Sequence, residues 1–386
     1  MKIKFTIYIT LLFFTVVGQE KENKLKEDLQ AIIAKTVDNQ KVFGVSFAVQ
    51  KDSFNWEGTA GNIAINHTFF IASTCKIFAS AIVFYLINND KINLKDKISK
   101  YLDANTLNQL HVYKGKDYSN EITLEHLLAH TSGLPDYFQD KDANGESLEK
   151  KLTAGKDMGW DFEYTIALTK KLTPHFAPGT KNKAHYSDAN YQILGKIIEV
   201  VTGKSFAQNC NEIIINPLQL NNTYLFPQAN KEQPKTLYYK NKPLEIPLAM
   251  ASFGADGGIV SNSADMMIFI RAFFNGEILN NKKYLRDLSK GNQKKVGIIA
   301  TLIGNPEVVV LDEPFANLDP TTVNRLKKII KELSENPQVT ILVSSHDLQH
   351  TVEVCDRIVA LNKGEVVKDI VTSAETLQEL EAFFAV

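Results

Sequence analysis

The sequence predicts two unlike folded parts in tandem: an α+β part over residues 19–283 and a partial α/β part over residues 284–386. Three observations carry this. Val42 to Val49 and Phe54 to Ala60 are apolar, β-prone runs joined by the turn Lys51-Asp52-Ser53, whereas Leu86 to about Thr202 is mostly helical in pattern with polar connections. From about Asn281 the pattern changes again, to short buried-type strands that each end in an acidic or polar turn. The chain has 386 residues, 44% hydrophobic and 23% charged, which suits a globular protein of two or three domains. A formal charge of −1 gives no electrostatic reason to expect nucleic acid as a partner. Cys75, Cys210 and Cys355 are scattered, and indicate neither a disulfide framework nor a cysteine zinc site.

Residues 1–18 have the form of a secretory signal. Lys2 and Lys4 supply a basic start, Phe5 to Val17 an apolar run too short to span a bilayer comfortably, and Val16-Val17-Gly18 small residues for cleavage. A secreted or periplasmic location is therefore expected for the part of the chain that follows it. A helix from about Leu25 to Val37 precedes the hairpin, and Asp140 to Gly155, polar and glycine-containing, is expected to be a surface loop. A hairpin alone is marginal, so its apolar face must join a larger sheet.

Chemistry concentrates in Phe70-Ile71-Ala72-Ser73-Thr74-Cys75-Lys76-Ile77-Phe78, which places a hydroxyl and an amine three residues apart at the start of an apolar helical run. Residues i and i+3 share a helix face, so Ser73 and Lys76 sit together. A serine becomes a useful nucleophile when a base takes its proton and backbone N–H groups stabilise the oxyanion. Downstream lie His130-Thr131-Ser132-Gly133-Leu134-Pro135, Pro178-Gly179-Thr180 and Tyr186-Ser187-Asp188-Ala189-Asn190-Tyr191, then Gly257-Gly258-Ile259-Val260-Ser261 before a helical run from Ala264 to Asn275.

In that order and spacing, these motifs resemble the serine beta-lactamase and penicillin-binding family, in the branch of class C beta-lactamases, D-alanyl-D-alanine carboxypeptidases and related esterases, over roughly residues 25–280. The resemblance implies a beta-lactamase-like fold, an antiparallel sheet beside a helical domain. It implies Ser73 as the acylated nucleophile, Lys76 as its proton partner and Tyr186 as the phenol completing the network, with no cofactor. The implied substrate is a small molecule or peptide: a beta-lactam, a cell-wall peptide or an ester. One position departs from the pattern. Asp188 stands where the family's Tyr-x-Asn motif has an amide, a substrate-site candidate that adds negative charge near Lys76. The resemblance places His130 in a loop-shaping segment, and Ser132, Ser187 and Ser205 fit loop or cap roles. Gly203-Lys204-Ser205 lacks the earlier glycine of a phosphate loop, because position 198 is Ile198.

The last hundred residues carry Leu288-Ser289-Lys290-Gly291-Asn292-Gln293, Val308-Val309-Val310-Leu311-Asp312-Glu313-Pro314, Asn317-Leu318-Asp319 and Ser344-Ser345-His346. Over about residues 285–370 this resembles the C-terminal part of an ABC transporter ATPase. The resemblance implies a signature loop at Ser289 and Gly291, Asp312 on magnesium, Glu313 on the attacking water and His346 at the terminal phosphate of ATP, with a transporter membrane subunit as partner at the cytoplasmic face of the membrane. No Walker A loop occurs upstream, so ATP and magnesium would matter only if this segment functions without one. The family's later His-x-Gly or Lys-Thr-Gly strand is also missing from the hydrolase part, its one formal match, Lys295-Val296-Gly297, lying in the ABC-like text. The expected organisation is thus a truncated secreted serine hydrolase joined near Asn281 to Leu288 to an ATP-binding fragment. The alternatives are an ABC-type ATPase fragment or a non-functional chimera of the two.

Overall fold

A computed structural model describes residues 22–51, 54–181, 183–229, 231, 233–278, 308–316, 320–337, 339–362 and 365–384. It divides into two units, residues 1–280 and 281–386.

The first unit opens with helix α1 (22–36) and the antiparallel hairpin β1 (Gly44–Lys51) and β2 (Phe54–Gly61), in register from Gly44 opposite Gly61 to Lys51 opposite Phe54. The turn between them, Asp52 and Ser53, lies outside the described residues. Gln30 of α1 donates to the Thr59 carbonyl at 2.9 Å, and Trp56 is buried. Among the described residues β1 and β2 pair only with each other, and Phe47 stays 47% exposed.

A separate three-stranded sheet frames the chemistry: β3 (Phe69–Phe70), β4 (Tyr224–Leu225) and, between them, β5 (Ile259–Ser261). Helix α2 (Cys75–Asn88) leaves β3 through one 3₁₀ turn, Ala72–Thr74. Helix α3 (Leu124–Leu128), helix α4 (Phe162–Lys171) and helix α5 (Asp188–Thr202) belong to the helical half. In α5, Ile193, Leu194, Ile197 and Ile198 are fully buried, each contributing about 1.5–3 kcal/mol of burial. Gly203, at φ 68°, ends α5 in the left-handed conformation that glycine adopts without strain. Helix α6 (Pro247–Ser252) and helix α7 (Ser263–Asn275) complete the unit. Phe78 of α2 stacks on Phe269 of α7 at 3.9 Å, and Ser263 reaches β1 through a 2.6 Å bond to Ser46.

One close approach positions the site. A Cβ on Gly195 would lie 2.7 Å from the Ala255 Cβ, so only glycine lets α5 meet the turn Gly254–Asp256 at this depth.

In the second unit, β6 (Val308–Asp312) pairs in parallel with β7 (Thr340–Ser344), and helix α8 (Pro320–Ser334) covers one face through Val323, Leu326 and Ile330 against Val309, Leu311 and Phe315. Helix α9 (Leu348–Val354) follows. The remaining strands, β8 (Arg357–Asn362) and β9 (Glu365–Val371), form an antiparallel hairpin, packed through Ile358 and Ala360 on Leu380 of helix α10 (Thr376–Phe384). Val308, Val310 and Leu342 are each 61% exposed, on strands of the parallel type that ordinarily bury both faces. That is how a piece of a larger sheet looks. Among the described residues no helix is long and apolar enough to cross a membrane.

Candidate active site

Ser73 lies in the 3₁₀ turn ahead of α2 rather than within the helix, and Lys76 in the first helical turn, which preserves their three-residue relation. Ala72 just before takes φ 45°, a conformation costing an L-residue on the order of 1–3 kcal/mol, and the turn is held by Thr74 N–H on the Ile71 carbonyl and by Ile71 N–H on Ile259 of β5. Tyr186 enters from the segment before α5 and donates its phenol to Ser73 Oγ at 2.8 Å. Lys76 Nζ stands 3.4 Å from the same oxygen. The three residues implied as a catalytic trio therefore converge on one hydroxyl.

Lys76 is wholly buried, yet its ammonium lies 2.6 Å from Asp188 Oδ1 and donates to the Asp256 carbonyl at 2.5 Å, with the rings of Tyr186 and Tyr191 at 5.1 and 5.7 Å. Burial opposes its charge, but Asp188 first, then Tyr186 and Asp256, outweigh burial and hold the amine above its ordinary range. Burial, reinforced by Asp188, pushes the Tyr186 phenol up as well, while Lys76 draws it down. Asp188, the position where sequence suggested a substrate contact, thus turns its carboxylate onto Lys76.

Two further carboxyls complete a buried acidic shell that the motifs did not reveal. Asp136 Oδ1 accepts from Phe138 N–H at 2.9 Å and from Asp188 N–H at 3.3 Å, and Asp256 Oδ2 accepts from the Tyr137 phenol at 2.7 Å. Burial, then Asp188, raises both well above 3.8. A carboxyl with a raised folded-state value stabilises the fold most at low pH, and that stability is lost as pH rises through the folded value. Asp256→Asn is accordingly expected to raise the melting temperature at pH 8 and to change it little near pH 4. Each pKa unit removed is worth about 1.4 kcal/mol. Thermal denaturation at the two pH values checks this, and equal effects at both would contradict it.

His130 serves the phenol rather than the serine. Its ring stacks on Tyr186 at 4.6 Å, and Nδ1 meets Ser187 N–H at 3.2 Å and Asn190 Nδ2 at 3.0 Å. Burial, with Lys76 and His185, pulls it down to about 3, so the imidazole is neutral. Ser132 bonds Asn190 Oδ1 at 2.7 Å, Ser187 donates to the Pro135 carbonyl at 2.8 Å, and Ser205 caps the helix that begins at Phe206.

In the second unit, Asp312 Oδ1 accepts from Ser344 Oγ, and Glu313 Oε1 takes both His346 N–H at 3.0 Å and Nδ1 at 2.7 Å. The acidic pair, Ser344 and His346 meet at the C-terminal ends of β6 and β7. Ser289, Gly291, Asn317 to Asp319 and Lys295-Val296-Gly297 lie outside the described residues. The sequence carries no phosphate loop to hold the β and γ phosphates, so this cluster does not by itself fit ATP.

The fold and the convergence at Ser73 define a serine hydrolase architecture of the beta-lactamase and penicillin-binding type. The chain belongs to the Beta-lactamase family, whose model matches residues 29–297, past the boundary expected at 283. Solved structures of similar fold include a D-stereospecific amidohydrolase from Streptomyces sp., at 25% identity and TM-score 0.54, covering 69% of this chain and 76% of that one. The D-amino acid amidase of Ochrobactrum anthropi SV3 is similar at 21% identity and TM-score 0.53, over 68% and 74%. The octameric penicillin-binding protein homologue of Pyrococcus abyssi is similar at 23% and 0.54, over 68% and 59%. A segment of 91 residues is 46% identical to an uncharacterized ABC transporter ATP-binding protein of Methanocaldococcus jannaschii, covering 23% of this chain and 34% of that protein. Another of 88 residues is 33% identical to the methionine import ATP-binding protein of Carboxydothermus hydrogenoformans, covering 23% and 26%. The chain spans about a third or less of these ATP-binding relatives.

Proposed function

We propose that this chain is an exported serine hydrolase that acts through an acyl-enzyme on Ser73. The observation that carries the proposal is the shared hydroxyl: Ser73 Oγ lies 2.8 Å from the Tyr186 phenol and 3.4 Å from the Lys76 amine. Ser73 Oγ attacks the substrate carbonyl carbon while its proton passes into the Tyr186–Lys76 network. The same network returns a proton to the leaving amine, lactam nitrogen or alkoxide, and water then hydrolyses the ester. No cofactor enters these steps. One similar structure is titled a D-amino acid amidase and another a D-stereospecific amidohydrolase, so small D-amino acid amides join beta-lactams, cell-wall peptides and esters as substrates to test. The basic, apolar start of the sequence supports export to the periplasm or beyond.

Covalent labelling of the full chain by a fluorescent penicillin and by a fluorophosphonate tests this, with Ser73→Ala beside it. Labelling of the native chain that disappears in Ser73→Ala is expected. A folded chain that neither probe labels, or a label that survives the substitution, would overturn the assignment. In the first case, the non-functional chimera becomes the better description.

A further inference from the structure

We propose that Asp140, His175 and His185 form a binding site for a divalent transition-metal ion of the zinc class, outside the Ser73 site. His175 Nε2 lies 2.8 Å and His185 Nε2 3.2 Å from the same oxygen, Asp140 Oδ2. The imidazoles stack with centroids 3.4 Å apart and planes 25° apart, both Nε2 atoms meet the one carboxylate oxygen, and the three ligand atoms lie within 4.8 Å of one another. Zinc bonds of about 2.0–2.2 Å to nitrogen and oxygen at tetrahedral angles put neighbouring ligand atoms about 3.3 Å apart. The two nitrogen–oxygen edges, 2.8 and 3.2 Å, need to open by only a few tenths of an ångström, with the stacked rings turning to face the ion. Two imidazoles and one carboxylate suit zinc, nickel or cobalt better than calcium or magnesium, which take oxygen ligands.

The donors are held in place from behind. His175 N–H donates to the Gly133 carbonyl, His185 N–H to the His130 carbonyl and Asp140 N–H to the Asp136 carbonyl, at 2.9, 2.9 and 3.0 Å, so one segment, 130–140, carries all three anchors. Asp136 N–H also donates to Asp140 Oδ2 at 2.9 Å, orienting the carboxylate. The side chains keep 25–38% of their surface exposed, which leaves an entry path and room for water ligands. His185 immediately precedes Tyr186, and the two histidines bracket the loop that contains Pro178-Gly179-Thr180. A bound ion would therefore clamp that loop to the 130–140 segment beside the phenol.

Calorimetric titration of the chelator-stripped full chain with zinc, and the visible absorption of added cobalt, test the site directly without reference to hydrolysis. One ion per chain is expected, with His175→Ala and Asp140→Asn each weakening binding at least about tenfold and abolishing the cobalt bands. His346→Ala, which alters the Glu313 pair in the second unit, should leave both unchanged. Because the His175 side chain is 38% exposed, its alanine variant should fold normally, and its unchanged melting temperature in chelator verifies this. Absence of binding, or binding that persists in His175→Ala and is lost in His346→Ala, would overturn the proposal.

Discussion

Lys76→Met is expected to destabilise the first unit by about 3–5 kcal/mol and to slow acylation of Ser73 by about 10²–10⁴-fold. Methionine matches the length of the stem, so the loss isolates the charge. The ammonium is the cation that faces Asp188 at 2.6 Å, within a shell that also holds the buried carboxyls of Asp136 and Asp256. Removing it leaves the buried Asp188 carboxylate without its counter-ion, the situation in which breaking a buried pair costs most. The pH dependence carries a sign. Lys76 is raised above its ordinary 10.5, so its contribution is fully present below 10.5 and is lost only as pH climbs through the higher folded value. The gap between native and variant in denaturant titrations should thus hold from neutral pH to about 10. A variant within about 1 kcal/mol of native at pH 7 would mean that Lys76 is not the paired cation described.

The meeting of Ser73, Lys76 and Tyr186 was legible in sequence because each sits in a short motif whose backbone is fixed locally: a 3₁₀ turn leading into α2 for Ser73 and Lys76, and the entry to α5 for Tyr186. The effect of Asp188 on Lys76 was legible too, since changing an amide to a carboxylate beside an amine has a definite sign. Asp136 and Asp256 were not. Asp256 reaches the site only because Gly195 admits the 254–256 turn against α5, a tertiary contact with no local periodicity. The pairing of Asp140 with histidines 35 and 45 residues later was equally invisible, as its spacing belongs to no metal motif. In the second unit the apolar runs marked β6 and β7, while the antiparallel arrangement of β8 and β9 depends on pairing between strands that neither run specifies alone.

Asp188→Asn is expected to move the acid limb of the acylation–pH profile down by at least about one unit and to raise the rate at pH 7 by about tenfold or more. The structure gives the reason. Both groups able to take the proton of Ser73 are held in their protonated forms: Lys76 because Asp188, more than any other neighbour, stabilises its cation, and Tyr186 because Asp188 adds to the effect of burial. An asparagine keeps an oxygen facing Nζ but removes the charge, so both values fall toward neutrality and a larger fraction of the base is free. Stability should suffer less than in Lys76→Met. The amine keeps its bond to the Asp256 carbonyl and, with its value lowered, can give up its charge. The outcome further distinguishes two roles for the carboxylate at this position. Held against Lys76, Asp188 sets the pH at which the nucleophile is activated; were it instead a contact for substrate, Asp188→Asn would change apparent affinity for the labelling probe and leave the pH profile where it was. Acylation rates measured from pH 5 to 10, with probe concentration varied at each pH, separate the two.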